Sequence, residues 1–183
     1  MDRIVQSYIE DFLKSQQISE KNQSKQFEMF ASYCAIAQQY TEVFDLNDAL
    51  TGASGDCGID GIAIIANGTM VTSKEEVDDL IELNNGLTDI LFIFIQAKTS
   101  SHFACGEMGD FGAGVIDFFS ETPQFVRNSF IQEKNELVNY CQTAHCGRCK
   151  PRFVLGEFTS PIVPYRNLPQ TPGGMTADCR SLV

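Results

Sequence analysis

Residues 90–95, ILFIFI, form an unbroken apolar run. Side chains alternate across a strand, so a strand apolar on both faces must be covered on both faces. The run continues as QAK, residues 96–98. The strand predicted over 87–98 therefore delivers Gln96 and Lys98 from one edge of the core, on the face that also carries Phe92 and Phe94. A buried lysine without a partner is costly, so Lys98 needs a carboxylate or an open cleft.

The flanking segments say what covers this strand. Ile4, Val5, Tyr8, Ile9, Phe12 and Leu13 fall at helical spacing and predict a helix over 2–15. A second helix is expected from about Ser24 to Gln39, with Phe27, Phe30, Cys34 and Ala37 on one stripe and Glu28 beside it. GASGDCGIDG, residues 52–61, is a turn with four glycines, followed by a strand IDGIAIIA. Asn67-Gly68 marks a hairpin. Ser73 with Glu76 is a capping-box pair that opens a helix SKEEVDDLIELN, whose EEVDD stretch reads as a solvated face. Helices are expected over 107–120, ending in VIDFFS, and over 124–143, with Phe130, Leu137, Val138 and Cys141 as core. RFVLGEF, 152–158, reads as the last strand. This order predicts an α/β fold, helices packed around a small mixed central sheet. Residues 1–160 form the expected domain. Residues 161–183, with four of the six prolines, read as a Pro-rich tail or linker.

Composition bounds the function. No apolar run approaches the ~20 residues of a membrane-spanning helix, and the N-terminus lacks a signal-peptide block, so a cytoplasmic location is the expectation. The seven scattered cysteines read as reduced thiols. CQTAHCGRC leaves two readings, zinc held by Cys141, His145, Cys146 and Cys149, or free thiols at a helix end. A net charge of −11 argues against non-specific nucleic-acid binding by charge alone, while leaving room for a small basic cleft. Lys98, Arg127, Lys134, Arg148, Lys150 and Arg152 are the basic residues beyond residue 80, outside the tail, that could line one.

The chemistry-bearing constellation is Asp60 at the start of IDGIAIIA, with Gln96 and Lys98 on the long strand. If these two strands pair, the three side chains meet. A carboxylate and an amide oxygen are hard ligands that suit Mg²⁺ or Mn²⁺, and an adjacent ammonium can counter charge developing on a phosphate. The bland alternative is a salt bridge capping a core strand. Asp56 reads as the organiser of its own turn, and His102 as a polar loop residue or a phosphate contact.

GIDG with Asp60 and IQAK with Gln96 and Lys98 resemble the PD-(D/E)xK nuclease superfamily, and the Gln form resembles its Mrr-type restriction endonuclease branch. FEMF, SGDCGIDGIAI, FIFIQAKTS and the helix ending in VIDFFS, spanning about residues 24–121, resemble the N-terminal domain of AIPR (abortive infection phage resistance) proteins. The resemblance implies a restriction-endonuclease-like α/β/α sandwich. It implies a cation held by Asp60, Gln96 and the helix acid Glu28, with Lys98 completing the catalytic set. It implies hydrolysis of nucleic acid, DNA ahead of RNA, in phage defence. Gln96 stands where most members carry an acid, which removes one negative charge from the metal site. Family chains usually run well beyond 183 residues, which leaves two readings, a fragment with a further C-terminal region or a short relative that lacks it; a homodimer is a further partner to expect. A catalytically degenerate nuclease-fold module that binds protein or nucleic acid is the alternative reading.

Overall fold

The computed structural model describes residues 3–52, 54–99, 105–144 and 152–159. Five helices and four strands follow in the order α1 (Arg3–Ser15), α2 (Gln23–Ala37), a 3-10 turn (Leu46–Asp48), β1 (Gly61–Ala66), β2 (Thr69–Met70), α3 (Lys74–Asn84), β3 (Ile90–Lys98), α4 (Cys105–Phe118), α5 (Ser129–Ala144) and β4 (Arg152–Thr159). The sheet order is β2-β1-β3-β4. β1 is antiparallel to β2 and β3, whereas β4 runs parallel to β3. The chain is mixed α/β around a small mixed sheet, and β3 lies inside it.

The apolar run of β3 is explained by cover on both faces. Leu91, Ile93 and Ile95 join Ala63 and Ile65 against Val5, Ile9, Phe12, Phe27, Ala31 and Ile36 of α1 and α2. Phe92 and Phe94 join Ile62 and Ile64 against Val77 of α3, Phe111 and Phe118 of α4, and Ile131 and Val138 of α5. Phe94 meets Phe118 and Phe119 edge-on, and Phe119 in turn meets Phe153 of β4. The FF of VIDFFS thus ties β3, α4 and β4 together.

Local signals hold the starts of β3 and α3. Ahead of β3, Asn67 and Gly68 both take positive φ, the two-residue turn that matches strand twist. The Asn67 side-chain oxygen also accepts the Thr88 and Asp89 amides at 2.9 and 3.2 Å. These amides are therefore held by a side chain, and β3 begins at Ile90 instead of Leu87. Ser73 caps α3 by accepting the Glu76 amide. The Glu76 carboxylate reaches one residue further back than a capping box requires and accepts the Thr72 amide at 2.6 Å. Glu75, Glu76, Asp78 and Asp79 are exposed, as a solvated face should be.

Two expectations are corrected. α5 starts at Ser129, not at 124. The Asp117 carboxylate accepts the Gln124 and Phe125 amides, so 124–128 are held as a loop. Asn128 then caps α5 by accepting the Ile131 amide. Phe130 is half-exposed rather than core. With the helix phase set by Ile131, Val138 and Cys141, residue 130 falls off the buried stripe and its ring lies against Gly52. Leu137, Val138 and Cys141 are buried. His102, His145, Cys146, Cys149, Arg148, Lys150 and the tail 161–183 lie outside the described residues. No helix among the described residues is long and apolar enough to cross a membrane.

The glycines of α4 disfavour a helix in isolation, and Gly114 has a reason to be there. A Cβ at that position would collide with the carbonyl oxygen of Cys57. α4 therefore presses against the 52–60 turn at a point where only glycine fits. Gly114→Ala is expected to lower the melting temperature and to loosen that turn. Phe94→Ala, which leaves a cavity in the aromatic cluster, should cost about 3–5 kcal/mol. Urea unfolding measures both. A neutral Gly114→Ala would show that the close approach is not needed.

Candidate functional site

The end of the β1–β3 ladder is where the polar residues collect. Regular pairing runs from Ala66↔Ile90 to Gly61↔Ile95. One residue beyond, the pattern changes. The Asp60 amide donates to the Ile95 carbonyl at 2.8 Å, and the Ala97 amide donates to Oδ2 of Asp60 at 2.7 Å. The carbonyl of Ile59 has turned to accept the Thr51 hydroxyl. A side-chain carboxylate thus takes a main-chain acceptor's place, and β1 begins at Gly61 rather than Ile59. The result pins the Asp60 carboxylate at the mouth of the sheet, with Oδ1 as its second oxygen.

Gln96 continues the Phe92–Phe94 row and is 3% exposed. Its amide nitrogen donates to the Gly58 carbonyl at 2.8 Å. That acceptor fixes the amide orientation, because a carbonyl facing a carbonyl would be repulsive. The Gln96 oxygen is therefore the end left for a ligand. Gly58 has a φ of +74°, and a Cβ there would come within 3.3 Å of the Gln96 nitrogen. The positive φ favours glycine here, and a Cβ would press on the Gln96 amide. The turn itself is organised by Asp56, whose Oδ1 accepts the Gly58 amide at 2.9 Å.

Glu28 arrives from α2, which covers the opposite, Ile93–Ile95 face. α2 starts where Asn22 accepts the Ser24 and Lys25 amides, and this cap sets the phase that turns Glu28 inward. Its side chain is 12% exposed. Asp60 is the junction of the set. It feels the charges of Lys98, Lys25 and Asp56, and Glu28 feels Asp60 and Asp56. No hydrogen bond among the described residues joins Glu28 to Gln96. Glu28 comes from the helix on the Ile93–Ile95 face, and Gln96 from the Phe92–Phe94 row.

Two supporting residues carry no sequence signal strong enough to single out. Lys25 bonds both Glu28 oxygens, at 2.8 and 2.9 Å, and the Gly52 carbonyl at 3.1 Å. An i,i+3 Lys–Glu pair is so common on helix surfaces that its burial here is not foreseeable. Asn128 donates to the Thr51 carbonyl at 2.9 Å, and its amide donates to the Gly55 carbonyl at 2.8 Å. It staples the glycine-rich turn to the start of α5.

Several basic residues are already committed. Arg127 pairs with Asp117 beneath the 124–128 loop, over the Phe118 ring. Arg152 pairs with Asp89 at 2.9 Å, at the end of β3 opposite Lys98. Neither lines a groove at the site. Cys141 is buried, and burial pushes its thiol up to about 11, the behaviour of an inert core thiol.

The donor set fits a hard divalent cation in kind: two carboxylates, an amide oxygen and an ammonium nearby. Among the described residues no three His, Cys, Asp or Glu side chains gather to hold a metal by themselves. A cation here would take Gln96, water or a substrate oxygen to complete its shell, as Mg²⁺ commonly does.

Electrostatics leave both acids strained. Burial is the largest influence raising the Asp60 carboxyl above its ordinary range, with Asp56 adding to it, against the Ala97 amide and the two lysines. Burial likewise raises Glu28, opposed by the Lys25 hydrogen bond and reinforced by Asp60. A raised carboxyl in the folded state holds a proton that the unfolded chain releases. The stability it contributes is full below the ordinary range near pH ~4 and is lost as pH rises through the folded value. Asp60→Asn keeps an oxygen for the Ala97 amide and removes the charge. It should melt higher than the wild-type protein at pH 7.5 and flatten the decline above pH ~4. Asp60→Ala orphans that amide and should be about 1–3 kcal/mol less stable than the Asn variant. Thermal unfolding across pH checks this, and an Asn variant less stable than wild type would assign Asp60 a purely structural role. The chain matches no family model, no curated protein and no solved structure, so the chemistry of this site rests on its own geometry.

Proposed function

We propose that the chain is a metal-dependent nuclease that hydrolyses phosphodiester bonds, on DNA ahead of RNA, with Asp60, Gln96, Glu28 and Lys98 as its working residues. The observation that carries the reading is a desolvated carboxylate, Asp60, fixed by its Ala97 hydrogen bond at the strand end that also presents Gln96 and Lys98. A group whose burial raises its pKa beside an ammonium is what a charge-handling site requires and what a stable core avoids. Helices on both faces of a small mixed sheet are consistent with a restriction-endonuclease-like α/β/α sandwich. The resemblance to AIPR and Mrr-type proteins favours the same reading, and with it a place in phage defence.

In this reading Asp60 and Glu28 supply the negative charge for Mg²⁺ or Mn²⁺, and the Gln96 oxygen supplies a neutral ligand. The cation, when bound, supplies positive charge that polarises the phosphodiester. Lys98 places its ammonium where charge develops on the phosphate. The Gly58 carbonyl keeps the Gln96 oxygen forward, and Asp56 keeps Gly58 in place.

A second reading is a non-cleaving module on the same fold, and one observation favours it. Arg127 and Arg152 are tied to Asp117 and Asp89, and the chain carries a net charge of −11. A strongly acidic surface favours a basic partner over a phosphate backbone.

Incubation of the purified chain with supercoiled plasmid and with single-stranded RNA, each with Mn²⁺ or Mg²⁺, separates the two. The nuclease reading expects divalent-dependent cleavage that Asp60→Asn abolishes and that Lys98→Ala lowers by about 10²–10³-fold, in the range for loss of one transition-state donor. Intact plasmid and RNA with every cation would reject it in favour of the module.

A further inference from the structure

We infer that Lys25 is a built-in competitor for the cation position, an internal ammonium that holds Glu28 until a divalent ion displaces it. The inference rests on the metal-site reading above and concerns how that site is filled.

Three oxygens converge on one Nζ: both carboxylate oxygens of Glu28 at 2.8 and 2.9 Å and the Gly52 carbonyl at 3.1 Å. They come from two separate parts of the chain, α2 and the glycine-rich turn. Carboxylate and carbonyl oxygens are the ligands a hard cation selects, so the ammonium stands on a position of that chemistry. With its charge set against both Glu28 oxygens, the ammonium stands in the path of a metal approaching that carboxylate and repels it. Lys25 adds its positive charge to the same neighbourhood as Asp60, which further opposes a second cation.

The arrangement is built to be reversible. Lys25 lies in the first turn of α2, where the unpaired amides already make the helix end positive and a lysine is disfavoured. No acid in that turn offsets it. Glu28 is the partner that holds it there. The lysine side chain is 35% exposed against 12% for Glu28. The ammonium can therefore swing to water on its flexible stem, while the buried acid stays behind and needs a replacement charge. A divalent ion supplies one. A lysine serving only to cap the helix surface would have no reason to reach across to Gly52.

Calorimetric titration of Mn²⁺ into the full chain, alongside thermal unfolding with and without Mn²⁺, tests this on wild type, Lys25→Met, Lys25→Arg and Asp60→Asn. Lys25→Met is expected to bind Mn²⁺ about tenfold tighter than wild type. Without metal it should melt lower, because Glu28 loses its counter-charge, and Mn²⁺ should restore the loss. Lys25→Arg, whose planar fork grips a carboxylate more firmly, should bind Mn²⁺ more weakly than wild type. Binding by Lys25→Met where wild type shows none also supports the inference. Wild-type binding that Asp60→Asn removes, but that Lys25→Met leaves equal or weaker, overturns the role of Lys25 and leaves the metal site standing. Silence from both wild type and Lys25→Met overturns the metal site and the competitor together.

Discussion

A single hydrogen bond, from the Ala97 amide to the Asp60 carboxylate at 2.7 Å, decides where this site is and what it contains. An antiparallel ladder would normally continue with a main-chain acceptor. Substituting a side-chain oxygen ends β1 at Gly61, frees the Ile59 carbonyl for Thr51, and holds a carboxylate at the open end of the long strand β3. Everything polar nearby is arranged around that fixed group. Gln96 is turned by the Gly58 carbonyl, Gly58 is held by Asp56, and the whole turn is stapled to α5 by Asn128 and pressed by α4 at Gly114. These contacts come from segments far apart in sequence, so the site depends on the complete fold.

The cost of holding the carboxylate there is electrostatic. Burial works against the ionised forms of Asp60 and Glu28, and the charge of Asp60 adds to the pressure on Glu28. The compensation is a lysine on each side: Lys98 continuing the Phe92–Phe94 row, and Lys25 from the helix on the other face. A protein selected for stability alone would have little use for two desolvated acids and a buried glutamine at one strand end. The acidic surface and the paired Arg127 and Arg152 weigh in the other direction. Among the described residues they leave Lys98 and Lys25 as the cations beside the site's acids.

Much of this was legible in the residues, and for physical reasons. ILFIFI reads as a strand covered twice, Asn67-Gly68 can adopt the turn that follows β1, and the alternation of β3 puts Gln96 and Lys98 in one row. The β1–β3 pairing that sets Asp60 against the Ala97 amide bridges the intervening β2 and α3. What was not legible depended on contacts between distant segments. Asp117 reads as one more helical residue until its carboxylate is found capping 124–128, which moves the start of α5 and pushes Phe130 off the core stripe. Lys25 reads as an ordinary surface pair until Gly52 is seen to complete its coordination. The switch of Asp60 from a strand side chain to a ladder acceptor leaves no periodic signature at all. That Glu28 comes from the face opposite Gln96 follows only from the packing of α2.

The account stands or falls on a hard cation engaging Asp60. Crystals grown with Mn²⁺ and measured at a wavelength where manganese scatters anomalously would locate it directly. The prediction is an anomalous peak at bonding distance, roughly 2.0–2.3 Å, from Oδ1 of Asp60, on the side facing the Gln96 oxygen or Glu28. Manganese bound elsewhere on the acidic surface with no peak at Asp60, or no ordered manganese while the Asp60–Ala97 bond is intact, would contradict it.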